Sequence, residues 1–152
     1  MKKIVLNKQA KYVVIAIAAL MLIFSSSMCS AQAVFLTSSV VPAARGTVDV
    51  KKDKYNNYTL QLKVSNFSEA SRLTPPKNTY VVWMVTEDNL TKNIGQVRTK
   101  KSFFSKKLKA SFKTISSFRP IKIFITAEYD PDLQSPGDVI VLTTDFFTLP
   151  KK

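Results

Sequence analysis

Thr79-Tyr80-Val81-Val82-Trp83-Met84-Val85-Thr86-Glu87 decides how this 152-residue chain is read, because its six central residues from Tyr80 to Val85 are apolar without interruption. Such a run suits a central β-strand covered on both faces, or a strand with one face packed and the other shielded. The segments around it keep a period of two. Tyr58, Leu60, Leu62 and Val64 alternate with Thr59, Gln61, Lys63 and Ser65. Leu108, Ala110 and Phe112 alternate with Lys107, Lys109, Ser111 and Lys113, and Ile121, Ile123 and Ile125 alternate with Lys122, Phe124 and Thr126. Successive strand side chains point to opposite faces, so this alternation sets one face on a core and the other on solvent. Outer strands are expected over residues 46–52, 93–99 and 138–144.

The links between these segments carry turn chemistry. Asp53-Lys54-Tyr55-Asn56-Asn57 joins the first two strands, with Asn able to take positive φ. Leu73-Thr74-Pro75-Pro76-Lys77 precedes the Trp83 strand, and Glu87-Asp88-Asn89, Asp130-Pro131-Asp132 and Ser135-Pro136-Gly137 mark further turns. No window outside the N-terminal segment has a helical period. About seven short strands with turn signals at this spacing predict an all-β fold, an antiparallel immunoglobulin-like β-sandwich.

The N-terminal segment predicts export. Residues 1–11 carry Lys2, Lys3, Lys8 and Lys11 and no acid, and the 12-residue apolar run 13–24 follows. Small and polar residues then lead to Ala31-Gln32-Ala33. Charged, apolar and small-residue regions in that order make a helical secretory signal, and the apolar run is short of the roughly 20 residues that span a bilayer core. Three outcomes stand open: cleavage after Ala33, acylation at Cys29 with Met28 and Ser26 before it, or retention as an anchor. The expected organisation is signal peptide over residues 1–33, extended lead-in over 34–44 and β-sandwich over 45–152. The lead-in is held extended near Val41-Pro42, since the residue before proline is pushed out of the helical region.

Composition then narrows the chemistry. The chain has no histidine and one cysteine, Cys29, which cleavage after Ala33 would discard. The usual zinc, copper and haem ligand sets cannot be assembled, imidazole-based triads are excluded, and no glycine-rich phosphate loop occurs. No cofactor is expected, and the protein reads as no enzyme. Carboxylates remain: Glu128, Asp130 and Asp132 lie around one turn, where they either solvate the turn, contribute to a calcium site, or supply the paired carboxylates of a hydrolase. Of the 23 basic residues, four lie in the export segment, leaving 19 against 10 acids and a net charge of +9 for residues 34–152. That charge favours anionic surroundings. Lys100, Lys101, Lys106, Lys107, Lys109 and Lys113 surround Phe103-Phe104. They form either a solvated face that protects an edge strand or an anion-binding stripe with a phenylalanine anchor. Export leaves no nucleic acid to bind.

From Tyr80-Val81-Val82-Trp83 onward the chain resembles the C-terminal extracytoplasmic domain of anti-sigma-K factors. Tyr80, Trp83, Gly95, Phe124-Ile125-Thr126-Ala127-Glu128, Ser135-Pro136-Gly137 and the apolar segment 139–142 carry the likeness, and Gly46 fits the head of the first strand. It covers roughly residues 46–144 and implies an extracytoplasmic β-sandwich. Members of that family also carry a sigma-binding helical domain and a membrane span, and only 12 residues precede the apolar run here. The likeness therefore implies a free-standing exported copy of the sensor-side domain, with Tyr80 and Trp83 as packing residues.

The function expected from these readings is an exported, non-catalytic binding or structural module of the bacterial envelope or periplasm. It would act by contact with an unknown envelope protein or surface, strand-edge pairing being one mode. The alternatives are binding of anionic polymer or lipid headgroups through the basic strand face, and a calcium-binding or carboxylate-based enzyme. Membrane contact is expected only through the signal segment or a lipid anchor on Cys29.

Overall fold

The computed structural model describes residues 7–9, 12, 30–102 and 105–150, with the side chains of residues 98–107 excepted. Eight strands follow one another: β1 (Ser30–Val34), β2 (Arg45–Lys52), β3 (Tyr58–Phe67), β4 (Thr79–Thr86), β5 (Thr91–Ser102), β6 (Ser105–Ser116), β7 (Pro120–Glu128) and β8 (Ile140–Thr143), with one 3₁₀ turn at Ala70–Arg72. All pairs are antiparallel, in the order β1-β2-β3-β6-β5-β4-β7-β8.

This order is that of a two-sheet sandwich. β2-β3-β6-β5 reproduces the four-stranded sheet of an immunoglobulin-like domain and β4-β7-β8 the three-stranded one. β5 serves both sheets. Its residues from Thr91 to Val97 pair with β4, and those from Arg98 to Ser102 pair with β6. The sheets also meet at the opposite side, where Phe35 bridges Thr144 and Leu36 N donates to Thr143 O at 2.8 Å.

The core lies between the sheets and follows the alternation. Val48 and Val50 of β2, Tyr58, Leu60, Leu62 and Val64 of β3, and Ile123 and Ile125 of β7 are buried in one cluster with Tyr80, Val82 and Met84 of β4. Burying a side chain of this size contributes roughly 1.5–3 kcal/mol, so the cluster is the main source of stability.

Three features depart from the sequence expectation. The first is an eighth strand, β1, inside residues assigned to the signal and its lead-in; Ala31 and Ala33 are too small to register as an apolar alternation. The second is β7, whose alternation predicts one solvent face. Phe124, Thr126 and Glu128 are instead buried, because the 129–139 connection folds back over them. The third is a bulge in β3 between Ser65 and Phe67, with Asn66 at φ 53°. The extra residue shifts the phase, so Phe67 turns inward and its ring meets Tyr80 at 4.4 Å between centroids. Asn tolerates this left-handed backbone because its short polar side chain fits there. Asn56 does the same at φ 65° in the Asp53–Asn57 turn, where the sequence offers Asn for a positive φ, and Asn89 takes φ 59° in the turn after β4.

β4 is central, between β5 and β7, and buried on both faces as its apolar run requires. Its second face carries Val81 and Trp83, which pack with Phe124 and the partly buried Val85 and Leu133. Trp83 thus points away from the inter-sheet core, the opposite of the strand-C tryptophan of antibody domains. Its Nε1 donates to Thr126 Oγ1 at 2.7 Å, which satisfies the buried indole.

Candidate functional site

The outward face of the larger sheet is built by register. Val34, Thr47, Lys63 and Ser111 form one row across β1, β2, β3 and β6. Arg45, Ser65 and Lys109 form the next row, two residues along each strand. Between them runs the row Gly46-Val64-Ala110, whose side chains, where present, turn to the core and leave backbone outside. The outcome is a groove of about 730 Å³ across the strands, lined by both outward rows and floored by the inward one. Two residues of strand rise separate its walls by about 7 Å.

The walls are basic. Arg45, Lys63 and Lys109 come from three strands and are exposed, with Lys51 and Lys113 further along the same face. Neighbouring strands lie about 4.8 Å apart, so diagonal side chains of adjacent rows are within reach of one ligand. Arg45 Nη1 donates to Pro42 O and Ala44 O, both at 2.7 Å, which fixes the guanidinium at the end of the groove. The one carboxylate on this face among the described residues is Asp49, and it accepts a bond from Gln32 Nε2 at 2.6 Å. The ion pairs among the described residues, Arg72–Glu69 at 3.0 Å and Arg119–Glu87 at 3.2 Å, lie elsewhere. The long lysine stems bring apolar surface along with their charge, so the groove combines an aliphatic lining with a cationic rim. Gly46 is required in its floor: a Cβ there would meet Lys63 O at 2.6 Å.

Of the six lysines singled out in the sequence, Lys109 lines the groove and Lys113 lies on the same strand and face. Lys100 and Lys101 are on β5, with Lys100 opposite Lys109 in register, and Lys106 and Lys107 begin β6. The side chains of these four, like Phe103, Phe104 and the whole of Cys29, lie outside the described residues. Arg45, Lys51 and Lys63 were missed. The alternation already placed Lys63 outward, but nothing in the sequence pairs β3 with β6.

The acidic candidates are not brought together. Glu128 is buried, and its Oε1 accepts from Gly137 N at 2.8 Å; a Cβ on Gly137 would sit 2.6 Å from Glu128 Oε2. Asp130 Oδ1 accepts from Asp132 N at 2.9 Å within its own turn. Among the described residues no three His, Cys, Asp or Glu side chains group as metal ligands. Glu128, Asp130 and Asp132 therefore form no three-carboxylate cation site among the described residues.

The other motif residues are structural. Gly95 has φ 131°, next to the bulge where Val82 and Trp83 step past β5, and a Cβ would lie 2.9 Å from Phe112 Cε2. Asn93 Nδ2 holds the 129–139 connection through Pro131 O at 2.8 Å and Leu133 O at 3.0 Å. Pro136 is exposed in that connection. The Tyr80 hydroxyl is buried without a hydrogen-bond partner among the described residues, and burial pushes its pKa up to about 12. Asp53 is held below its ordinary value chiefly by the hydrogen bond from Asn57 N, with Tyr55 N and Asn57 Nδ2 adding to it.

No protein-family model, curated protein or solved structure matches the chain. Among the described residues no helix is long and apolar enough to cross a membrane.

Proposed function

We propose that this is a non-catalytic exported module that docks on an anionic surface of the envelope through the outer face of its larger sheet. The observation that carries the reading is the convergence of Arg45, Lys63 and Lys109 from three strands on one groove. On that face the one described carboxylate is already engaged by Gln32. Like charges held this close repel, so an anionic partner that neutralises them gains free energy from all three at once. The ligand chemistry is a sulfate-, phosphate- or carboxylate-bearing chain or headgroup, with aliphatic surface beside the charge. This favours the anionic reading over generic protein–protein contact. The likeness to the sensor-side domain of anti-sigma-K factors agrees with an extracytoplasmic setting.

The test is co-sedimentation with neutral phosphatidylcholine vesicles, with vesicles containing phosphatidylglycerol, and with dextran sulfate immobilised on beads. Binding to one or both anionic supports should fall steeply as salt rises from about 0.1 M to about 1 M, where screening shortens from roughly 10 Å to 3 Å. Equal binding to neutral vesicles, or binding indifferent to salt, would refute the proposal.

A further inference from the structure

We infer that β1 belongs to the mature protein, and that the export signal is removed on the N-terminal side of Ser30 rather than after Ala33. The inference rests on the export reading proposed above. It starts from the conflict between the small-residue spacing Ala31-Gln32-Ala33, which fits a signal peptidase, and what the same residues do in the fold.

β1 pairs with β2 over five positions, from Ser30 opposite Lys51 to Val34 opposite Thr47. Ala33 is buried at 9% exposure, Ala31 packs against the core, and both point to the side that Phe35 enters, buried at 4%. Gln32 points outward and holds Asp49. A cut after Ala33 would remove four of the five register positions and that hydrogen bond. It would leave the backbone groups of β2 as an unpaired edge and uncover Val48 and Val50, which are now fully buried. It would also place a new ammonium group on Val34, in a groove already lined by Arg45, Lys63 and Lys109. The alanine spacing has a structural cause instead: small residues at alternate positions face the interior where the edge strand lies close to it. Suitable small residues occur upstream. Ser27 and Cys29 stand three and one before Ser30, and Ser25 and Ser27 stand likewise before Met28.

The experiment expresses the whole chain in a secreting host and reads the exported product by intact mass. A mature chain that begins at Ser30 or shortly before it, with or without an acyl group on Cys29, is the expected result. A terminus at Val34, or an exported chain that still begins at Met1, overturns the inference and leaves the export reading standing; a chain found only in the cytoplasm with its first 33 residues intact overturns both. Ala33→Val supplies a second reading, because it places a β-branched residue where cleavage after residue 33 needs a small one. Pulse-chase conversion of precursor to mature chain, which does not depend on the final fold, should proceed at the rate of the unsubstituted chain. Accumulated precursor would overturn the inference.

Discussion

The basic groove makes a quantitative prediction. Arg45→Gln, Lys63→Gln and Lys109→Gln together remove three of the five described cations on the outer face of β2, β3 and β6. A basic side chain at an anionic membrane contributes about 1 kcal/mol, so the triple variant should lose about 3 kcal/mol. At 1.4 kcal/mol per tenfold, that is on the order of 100-fold in partition onto phosphatidylglycerol vesicles. Lys63→Gln with Lys109→Gln alone should lose roughly 25-fold by the same arithmetic. Arg45→Gln also gives up the bonds to Pro42 O and Ala44 O, so a thermal melt of each variant accompanies the binding measurement. The decisive control removes the same charge elsewhere: Lys54, Lys92 and Lys122, which lie over the rings of Tyr55, Phe118 and Phe146 away from the groove. If the control triple loses as much affinity as the groove triple, net charge alone drives binding and the groove has no special role.

Three further outcomes test the packing. Tyr80→Phe removes a buried hydroxyl without a partner among the described residues, so it should be neutral or stabilising by up to about 1 kcal/mol in a denaturant titration. The Tyr80 pKa is raised from 10 to about 12 in the fold, so its contribution is intact below pH 10 and is lost as pH rises through 12. Tyr80→Phe should flatten that alkaline loss in pH-dependent melts. Thr126→Val leaves the buried Trp83 Nε1 without its acceptor and should cost about 1–3 kcal/mol, with a change in tryptophan fluorescence as the indole environment alters. Gly95→Ala meets both the positive φ and the Phe112 ring and should cost roughly 1–3 kcal/mol; an unchanged denaturation midpoint would show that β5 does not need its bend.

The strands were legible where burial is one-sided or complete. Leu60 and Leu62 alternating with Gln61 and Lys63, and the apolar run through Trp83, lead directly to β3 and β4. What lay hidden depends on partners distant in sequence. Phe124 and Thr126 look outward by period alone, and only the return of the 129–139 connection buries them. The alternation from Tyr58 to Ser65 gives no sign of the bulge at Asn66, which decides which way Phe67 faces. The groove was half visible: Lys109 and Lys113 stand out as part of a lysine-rich segment, whereas Arg45 and Lys63 join them only because β2, β3 and β6 are neighbours. Glu128 drew notice as an acid near other acids, and the structure spends it on a single backbone N–H.

β5 is a shared member of both sheets. Its first half gives hydrogen bonds to β4 and its second half to β6, and the Phe35–Thr144 bridge ties the far sides. Neither sheet can therefore melt while leaving the other with a complete set of partners. The molecule should open as one cooperative unit, with amide protons of β3 and β7 exchanging through the same rare event although they sit on opposite layers. Such all-or-none opening keeps protease-cleavable segments covered until the whole domain is lost.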